Sequence, residues 1–391
     1  MRDQLEKFLK LDKKIKIGVL TLPSVVVLLT IVLLFAFRGG GEPPPELVEE
    51  YFPEIIAAPT PPPTIQADPD EYEDDDEIID LGPVSILTGV LLYEEYLYRR
   101  PLAVVINNMH RAQPQSGIAS ADIVYEVLAE GDITRLVAVF HSYIPEKIGP
   151  VRSTRDYFTD LALNHDAIFI HHGGSPTGYS RLRDLGVDAI DGMRQGRVFW
   201  RDRTYPEWAL NTGTRALEHS SFTGREHILS YLESGTFRDY LSDDKNDFGF
   251  YFGDTPDGVY HNGIANRVVV PFSRNYTRTF IFDEETGLYL VENRDGPHLD
   301  AINQEQVAVA NVLIQFANMR VIDDAGRRSV DTVGEGVGYL VTGGRHYPVL
   351  WAKDSHTAPA RWYFENGEPV VLNPGATWIC IFQSNGTVEF E

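Results

Sequence analysis

The sequence predicts an α+β protein whose helices lie in the first half of its folded region. Three observations carry this. β-Branched runs bounded by Pro, Gly and Asp open the folded part near Arg99, capping patterns for three helices fall between Ser153 and Glu226, and from Arg267 onward strand-like runs alternate with turn signals. A chain of 391 residues with 43% hydrophobic side chains has material for two cores, at roughly 100–200 residues per domain.

Taken in order, residues 1–16 carry a net charge of +3 and are predicted to stay in the cytoplasm. Residues 17–37 hold no charge over 21 positions, enough to cross a hydrocarbon core of ~30 Å as a transmembrane helix. This run exceeds the ~7–15 apolar residues of a signal peptide and is followed by Arg38-Gly39-Gly40-Gly41 in place of a small-residue cleavage site. No cysteine stands at its end, which argues against lipid attachment at that point. Residues 38–90 are predicted to be a disordered Pro/acidic linker. Between Gly39 and Asp80 lie nine prolines and fourteen acidic residues with no Lys or Arg, a composition that cannot bury enough apolar surface to fold and that keeps the chain extended.

Two folded parts are expected, 95–245 and 259–391. In the first, residues 101–108, 122–130 and 135–143 read as strands, and Gly131-Asp132-Ile133-Thr134 is short enough to join the last two as a hairpin. Ser153-x-x-Asp156 reads as a capping box for a helix with Phe158, Leu161, Ala162 and His165 on one face. Residues 167–172 form a further strand, and Ser175 with Pro176 caps and opens a second helix. A third is expected from the box Thr223-x-x-Glu226. The second part is strand-dominated, from Arg267-Val-Val-Val-Pro-Phe272 to Thr377-Trp-Ile-Cys-Ile-Phe382.

The net charge of -23 argues against a nucleic-acid partner. Removing the +3 of residues 1–16, the +1 of Arg38 and the -14 of the linker leaves -13 for residues 81–391, so a basic cluster there is informative. A single cysteine, Cys380, rules out an internal disulfide and a Cys-based zinc site, and its apolar surroundings read as core.

Seven blocks in order carry a resemblance. RPLAVVINN, PQSGIASADIVYEVLAEGDITRL, KIGPVRSTRDYF, DAIFIHHGGSP, GPHLD, LWAKDS and LNPGATWICIF resemble the YerB-like family of bacterial lipoproteins, from about Arg99 to the C-terminus. The resemblance implies an extracytoplasmic protein of Gram-positive-type bacteria with a layered β-β-α sandwich in two consecutive domains, and implies no chemistry. Two departures stand out: the family's lipid-bearing cysteine is replaced by the apolar span, and Pro206-Glu207-Trp208 stands where relatives have a Pro-His-Asn-Leu-Tyr segment.

Candidate ligand-binding residues cluster in the first part. Arg152, just ahead of Ser153, and Arg155, in the first helical turn, bring two guanidinium groups to a helix start, where unpaired N–H groups already favour an anion. Two readings stand side by side: an external carboxylate or phosphate, or an internal ion-pair network with Asp156, Glu126 or Glu130. His171 leads into Gly173-Gly174-Ser175, where glycines let a ligand approach the backbone; capping suffices to explain Ser175. Asn107, Asn108 and Arg135 lie at strand ends beside this turn, and Glu126 lies within reach. His298-x-Asp300 has metal-ligand spacing with His171 as a third group, but a turn histidine is preferred, and neither metal nor cofactor is expected. The second-half aromatics, Trp351, Trp362 and Trp378 among them, are assigned to core over a sugar-stacking surface.

Two functions follow. The preferred one is a single-pass cell-membrane protein whose extracytoplasmic domains bind an anionic cell-wall component or an envelope protein. The alternative is a cell-wall-modifying hydrolase or transferase using His171 with Arg152 and Arg155, for which no catalytic set is assigned.

Overall fold

The computed structural model describes residues 82–242, 245–253 and 263–391. The expected cytoplasmic segment, the apolar span 17–37 and most of the linker lie outside the described residues, as do residues 254–259 of the expected boundary. Among the described residues no helix is long and apolar enough to cross a membrane. Folded structure starts earlier than composition suggests: Leu87 is fully buried in the core, although residues 82–90 were expected to belong to the linker.

In the first half the β-branched runs form β1 (Leu102–Asn107), β2 (Ile123–Leu128) and β3 (Thr134–Phe140). The expected β2–β3 hairpin is present, with Gly131 and Asp132 at positive φ in its turn. Two further strands, β4 (Ile168–His171) and β5 (Ala189–Asp191), extend the sheet in parallel from β1. Such parallel steps require crossovers, supplied by α1 (Asp156–Leu163) and α2 (Pro176–Asp184). The third helix, α3, spans Arg225–Leu232.

The second half forms β6 (Arg267–Pro271), β7 (Thr277–Asp283), β8 (Leu288–Asn293), β9 (Asn311–Ala317), β10 (Gly334–Thr342), β11 (Arg345–Lys353), β12 (Arg361–Phe364) and β13 (Thr377–Gln383). An eleven-stranded sheet runs β12-β11-β10-β9-β13-β2-β3-β1-β4-β5, with Gly263–Ile264 paired to β11. Strand β13 lies between β2 and β9 and parallel to both, with Thr377 opposite Ile123 on one side and Asn311 on the other. Both halves of the sequence therefore share one sheet. β6, β7 and β8 belong to a second, six-stranded sheet.

Alternation along β1 sorts the core into two faces. Leu102, Val104 and Ile106 cluster with Val268, Val270, Phe280 and Val291 of the second sheet, while Ala103 and Val105 cluster with Tyr157, Phe158, Leu161 and Ala162 of α1. With both faces covered, β1, β2 and β3 are buried along their whole length. Each large apolar side chain so buried contributes about 1.5–3 kcal/mol.

Two capping expectations are corrected. Helix α1 begins at Asp156 with Arg155 in the cap position and no side-chain cap, because residues 152–154 are held extended: Thr154 N–H donates to Gly173 O (2.9 Å), and Ser153 Oγ donates to His172 O (3.1 Å). Likewise α3 starts after Gly224, since Thr223 Oγ1 donates to Val198 O (2.8 Å). Ser175 caps α2 as expected, accepting from Gly178 N–H at 3.0 Å. The run from Val307 to Phe316 divides between sheets: Ala308–Val309 pairs with β8, and β9 joins the large sheet.

Candidate functional site

At their C-terminal ends β1 and β4 stop pairing after Val104 and Ile170, and the extended segment Val151–Thr154 fills the fork. Arg152 N–H donates to Val105 O (2.8 Å), His172 N–H donates to Arg152 O (3.0 Å), and Ser175 N–H donates to Thr154 O (3.2 Å). A crevice beyond the carboxyl ends of parallel strands is where open α/β sheets commonly place ligands. Here the fork brings Asn107, Arg135, Arg152, Ser153, Arg155, His171, Gly173, Gly174 and Ser175 together.

The two arginines have separate fates. Arg155 Nε pairs with Glu130 Oε1, and its Nη1 donates to Thr154 O. Glu130 Oε2 takes Arg135 Nη2 at 2.9 Å, while Arg135 Nη1 donates to Ser153 O at 2.8 Å. Burial pushes the Glu130 carboxyl up, but hydrogen bonding to Arg155 and the charge of Arg135 outweigh it and hold it below the usual carboxylate range. Arg155 and Arg135 are thus joined by one internal carboxylate. Arg152 differs: half-buried, it makes no ion pair or side-chain hydrogen bond with the described residues. Burial pulls its guanidinium below its ordinary value, opposed most by the charge of exposed Glu218.

His172 sits beside Arg152. Its Nε2 lies 3.2 Å from Arg201 Nη2 and its Nδ1 2.7 Å from Ser221 Oγ. Because guanidinium can only donate, Nε2 accepts, so Nδ1 carries the proton and donates to Ser221. That tautomer cannot serve as a base toward Ser221, which is only 2% exposed. Burial and the charge of Arg201 hold His172 below its ordinary pKa, leaving it neutral beside two cations.

His171 faces the other way, against Phe169 and Tyr179. Its Nδ1 is 2.9 Å from Gly173 O and 3.7 Å from Asp191 Oδ1, and its Nε2 is buried with no hydrogen-bond partner among the described residues. Burial lowers its pKa despite Asp191. Asp191 in turn accepts from Gly173 N–H (2.9 Å), Met193 N–H (3.0 Å) and Tyr179 OH (2.9 Å), tying the ends of β4 and β5 together. Gly173 has φ +78°, and a Cβ there would lie 3.3 Å from Ser153 Oγ, so this crossing of segments favours glycine. Asn107 Nδ2 is 2.8 Å from His219 Nδ1, linking β1 to the loop that carries Glu218.

The remaining candidates lie between the sheets. Glu126 of β2 pairs with Arg278 of β7, Nε to Oε2 at 2.7 Å, both side chains only 2% exposed. Asn108 Nδ2 donates to Glu126 Oε1 (3.1 Å) and Thr134 Oγ1 (2.7 Å), and Gln115 Nε2 donates to Asn108 Oδ1 (2.9 Å). His298 closes the chain: Nδ1 accepts from Arg278 Nη1 (2.9 Å), and Nε2 donates to Gln115 Oε1 (2.9 Å). Burial, reinforced by Arg278, holds His298 well below its ordinary pKa. Asp300 accepts from the backbone N–H groups of Gly117 (3.1 Å), Ala119 (2.9 Å) and Ile302 (2.8 Å). No group of three or more potential metal ligands occurs among the described residues.

Comparison with known proteins places this architecture. Residues 87–238 match the family profile described as "Protein of unknown function (DUF3048) N-terminal domain", and residues 268–379 match its C-terminal counterpart. The chain belongs to the DUF3048 family. A relative named "Putative lipoprotein YerB", from Bacillus subtilis (strain 168), is 34% identical over 301 residues, covering 75% of this chain and 85% of the relative. The crystal structure of YerB protein from Bacillus subtilis superposes with a TM-score of 0.67 at 30% identity, covering 78% of this chain and 99% of that one. The resemblance read from seven sequence blocks is confirmed, as is the mixed α+β class.

Within this DUF3048 chain, sequence reasoning missed Arg278, Gln115, Asp191 and Arg201. Arg278 had a legible signal: it shares strand parity with the inward-facing Phe280, where an apolar residue belongs. Asp191 ends a strand and is followed by glycine, much as His171 ends β4 two residues before Gly173. Nothing local marks Arg201, which reaches His172 only through the fold.

Proposed function

We propose that this protein is anchored in the cell membrane by residues 17–37, with an extracytoplasmic folded region that binds an anionic cell-wall component at the β1–β4 fork. Arg152 is the centre of that site, and Arg201 adds a second cation beside it. The single observation that carries the reading is the guanidinium of Arg152, half-buried at the strand-end fork and in no ion pair with a described residue, while its neighbours Arg135 and Arg155 are joined by Glu130. A cation partly removed from water and in no ion pair with a described residue is completed by an anion from outside. Carboxylate and phosphate both meet that requirement. The envelope location draws on the uncharged span with its basic flank, on the Pro/acidic linker behind it, and on the lipoprotein name of the relative.

The test is calorimetric titration of the full-length chain, in non-ionic detergent, with a carboxylate-bearing peptidoglycan fragment and a short glycerol-phosphate oligomer. At least one should bind at low ionic strength, with affinity falling as salt is raised. Absence of binding by both at low salt would sink the proposal.

A further inference from the structure

A cleft of 870 Å³ lies where α1 and α2 approach the ends of β9 and β10. That volume is in the range of sites for drug-sized ligands, about 300–1,000 Å³. Its lining combines an apolar wall with an excess of one charge. Register places Val337 opposite Leu350 and Leu350 opposite Tyr363, so the three sit side by side on one face of the sheet. Phe316 adds a further ring to the lining.

Charge is the second feature. Arg181 is the one arginine or lysine in the lining, and it is already engaged, 2.5 Å from Asp160 and 3.9 Å from Asp156. Asp160, 1% exposed, also accepts from Thr332 Oγ1 at 2.7 Å and faces His356 Nδ1 at 3.0 Å. The acids at the rim lack such cover. Asp331 has Arg320 at 3.7 Å, both substantially exposed, and a long hydrogen bond from Asn318 Nδ2 at 3.5 Å, and exposed Glu335 has no ion pair among the described residues. An apolar wall beside exposed, at most weakly paired carboxylates complements a cation on an aliphatic stem, which buries its methylenes and presents its charge to the acids and ring faces.

We propose that this cleft binds a lysine-bearing peptide segment, its stems against Phe316, Leu350 and Tyr363 and its ammonium groups toward Asp331 and Glu335. The assignment does not depend on the anion site, since it uses none of the same residues.

The experiment is calorimetric titration of the full-length chain in non-ionic detergent with trilysine, and in parallel with trialanine and a chitin trisaccharide. Trilysine should bind, and the pair Asp331→Asn with Glu335→Gln should weaken it by about tenfold or more. The pair Glu284→Gln with Glu285→Gln removes the same charge from the exposed β7–β8 turn and should change affinity by less than about twofold. Circular dichroism checks that both pairs stay folded. Equal losses in the two pairs would show attraction to an acidic surface without a site and overturn the proposal. Failure of trilysine to bind would overturn it too, as would saccharide binding that ignores the Asp331 and Glu335 changes.

Discussion

Arg278→Met should destabilise the protein by about 3–5 kcal/mol, because it leaves the Glu126 carboxylate buried without its cation. Arg278 gives Glu126 two hydrogen bonds, at 2.7 and 3.2 Å, and also donates to Asn293 Oδ1 at 2.6 Å and His298 at 2.9 Å. Glu126→Gln removes the charge but keeps the shape, leaving those last two bonds in place, and should cost less, about 2–3 kcal/mol. Since each single change strands the other partner, the double variant should lose less than the sum, with a coupling of about 2–3 kcal/mol. Urea denaturation of the four proteins at pH 7 measures it. The pair joins a first-half strand to a second-half strand across the layers, so all four should unfold in one transition. A coupling near zero would refute the buried-pair account, and separate transitions for the two halves would refute the shared core.

Two further outcomes are expected. Lys353 is 3% exposed, donates to Asn164 Oδ1 at 2.5 Å, and is pushed down by burial to about 8; the unfolded state therefore holds more protons between that value and about 10.5, and stability should rise with pH through the window. Against Lys353→Met, in which the shared tyrosine titrations cancel, wild-type stability should gain about 2–3 kcal/mol from pH 8 to 10.5, and parallel curves would contradict the assignment. Protease added to intact protoplasts should release a soluble fragment beginning between Gly39 and Asp80, and recovery of an uncleaved folded region from the cytosol would overturn the topology.

Much of the fold was legible because its strands announce themselves. Runs such as Leu102-Ala-Val-Val-Ile106 are apolar on both parities, which a strand tolerates only when both faces are covered, and the two core clusters show that they are. What local pattern could not supply was partnership. Nothing in Thr377–Gln383 says that it pairs with Ile123–Val127, some 250 residues earlier, as the parallel neighbour that makes two sequence halves one sheet. The capping boxes failed for a related reason: Ser153 and Thr223 had better partners in His172 O and Val198 O, brought close by the fold. At the site, residue types at strand ends were readable, but which arginine meets a carboxylate depended on Glu130, carried by the β2–β3 hairpin. Asn108, read as a strand-end residue, Glu126, read as an acid near the arginines, and His298, read as a turn histidine, are instead joined within one buried network.

The arginine pair offers the most direct test of the central claim, because its members should separate. Arg155→Gln deprives Glu130 of one cation while Arg135 remains, and should lower stability by about 1–2 kcal/mol with little change in anion affinity. Arg152→Gln removes a cation that forms no ion pair with a described residue and should leave the melting temperature nearly unchanged. Its affinity for the anionic fragment that wild type binds should fall by about 10- to 100-fold, the loss of one charged contact of about 1.5–3 kcal/mol. The deciding measurement is melting temperature and fragment affinity of Arg152→Gln, taken on one preparation. Wild-type melting with weakened binding is the predicted result. Early melting with wild-type binding would show that Arg152 holds the protein together and takes no part in recognition.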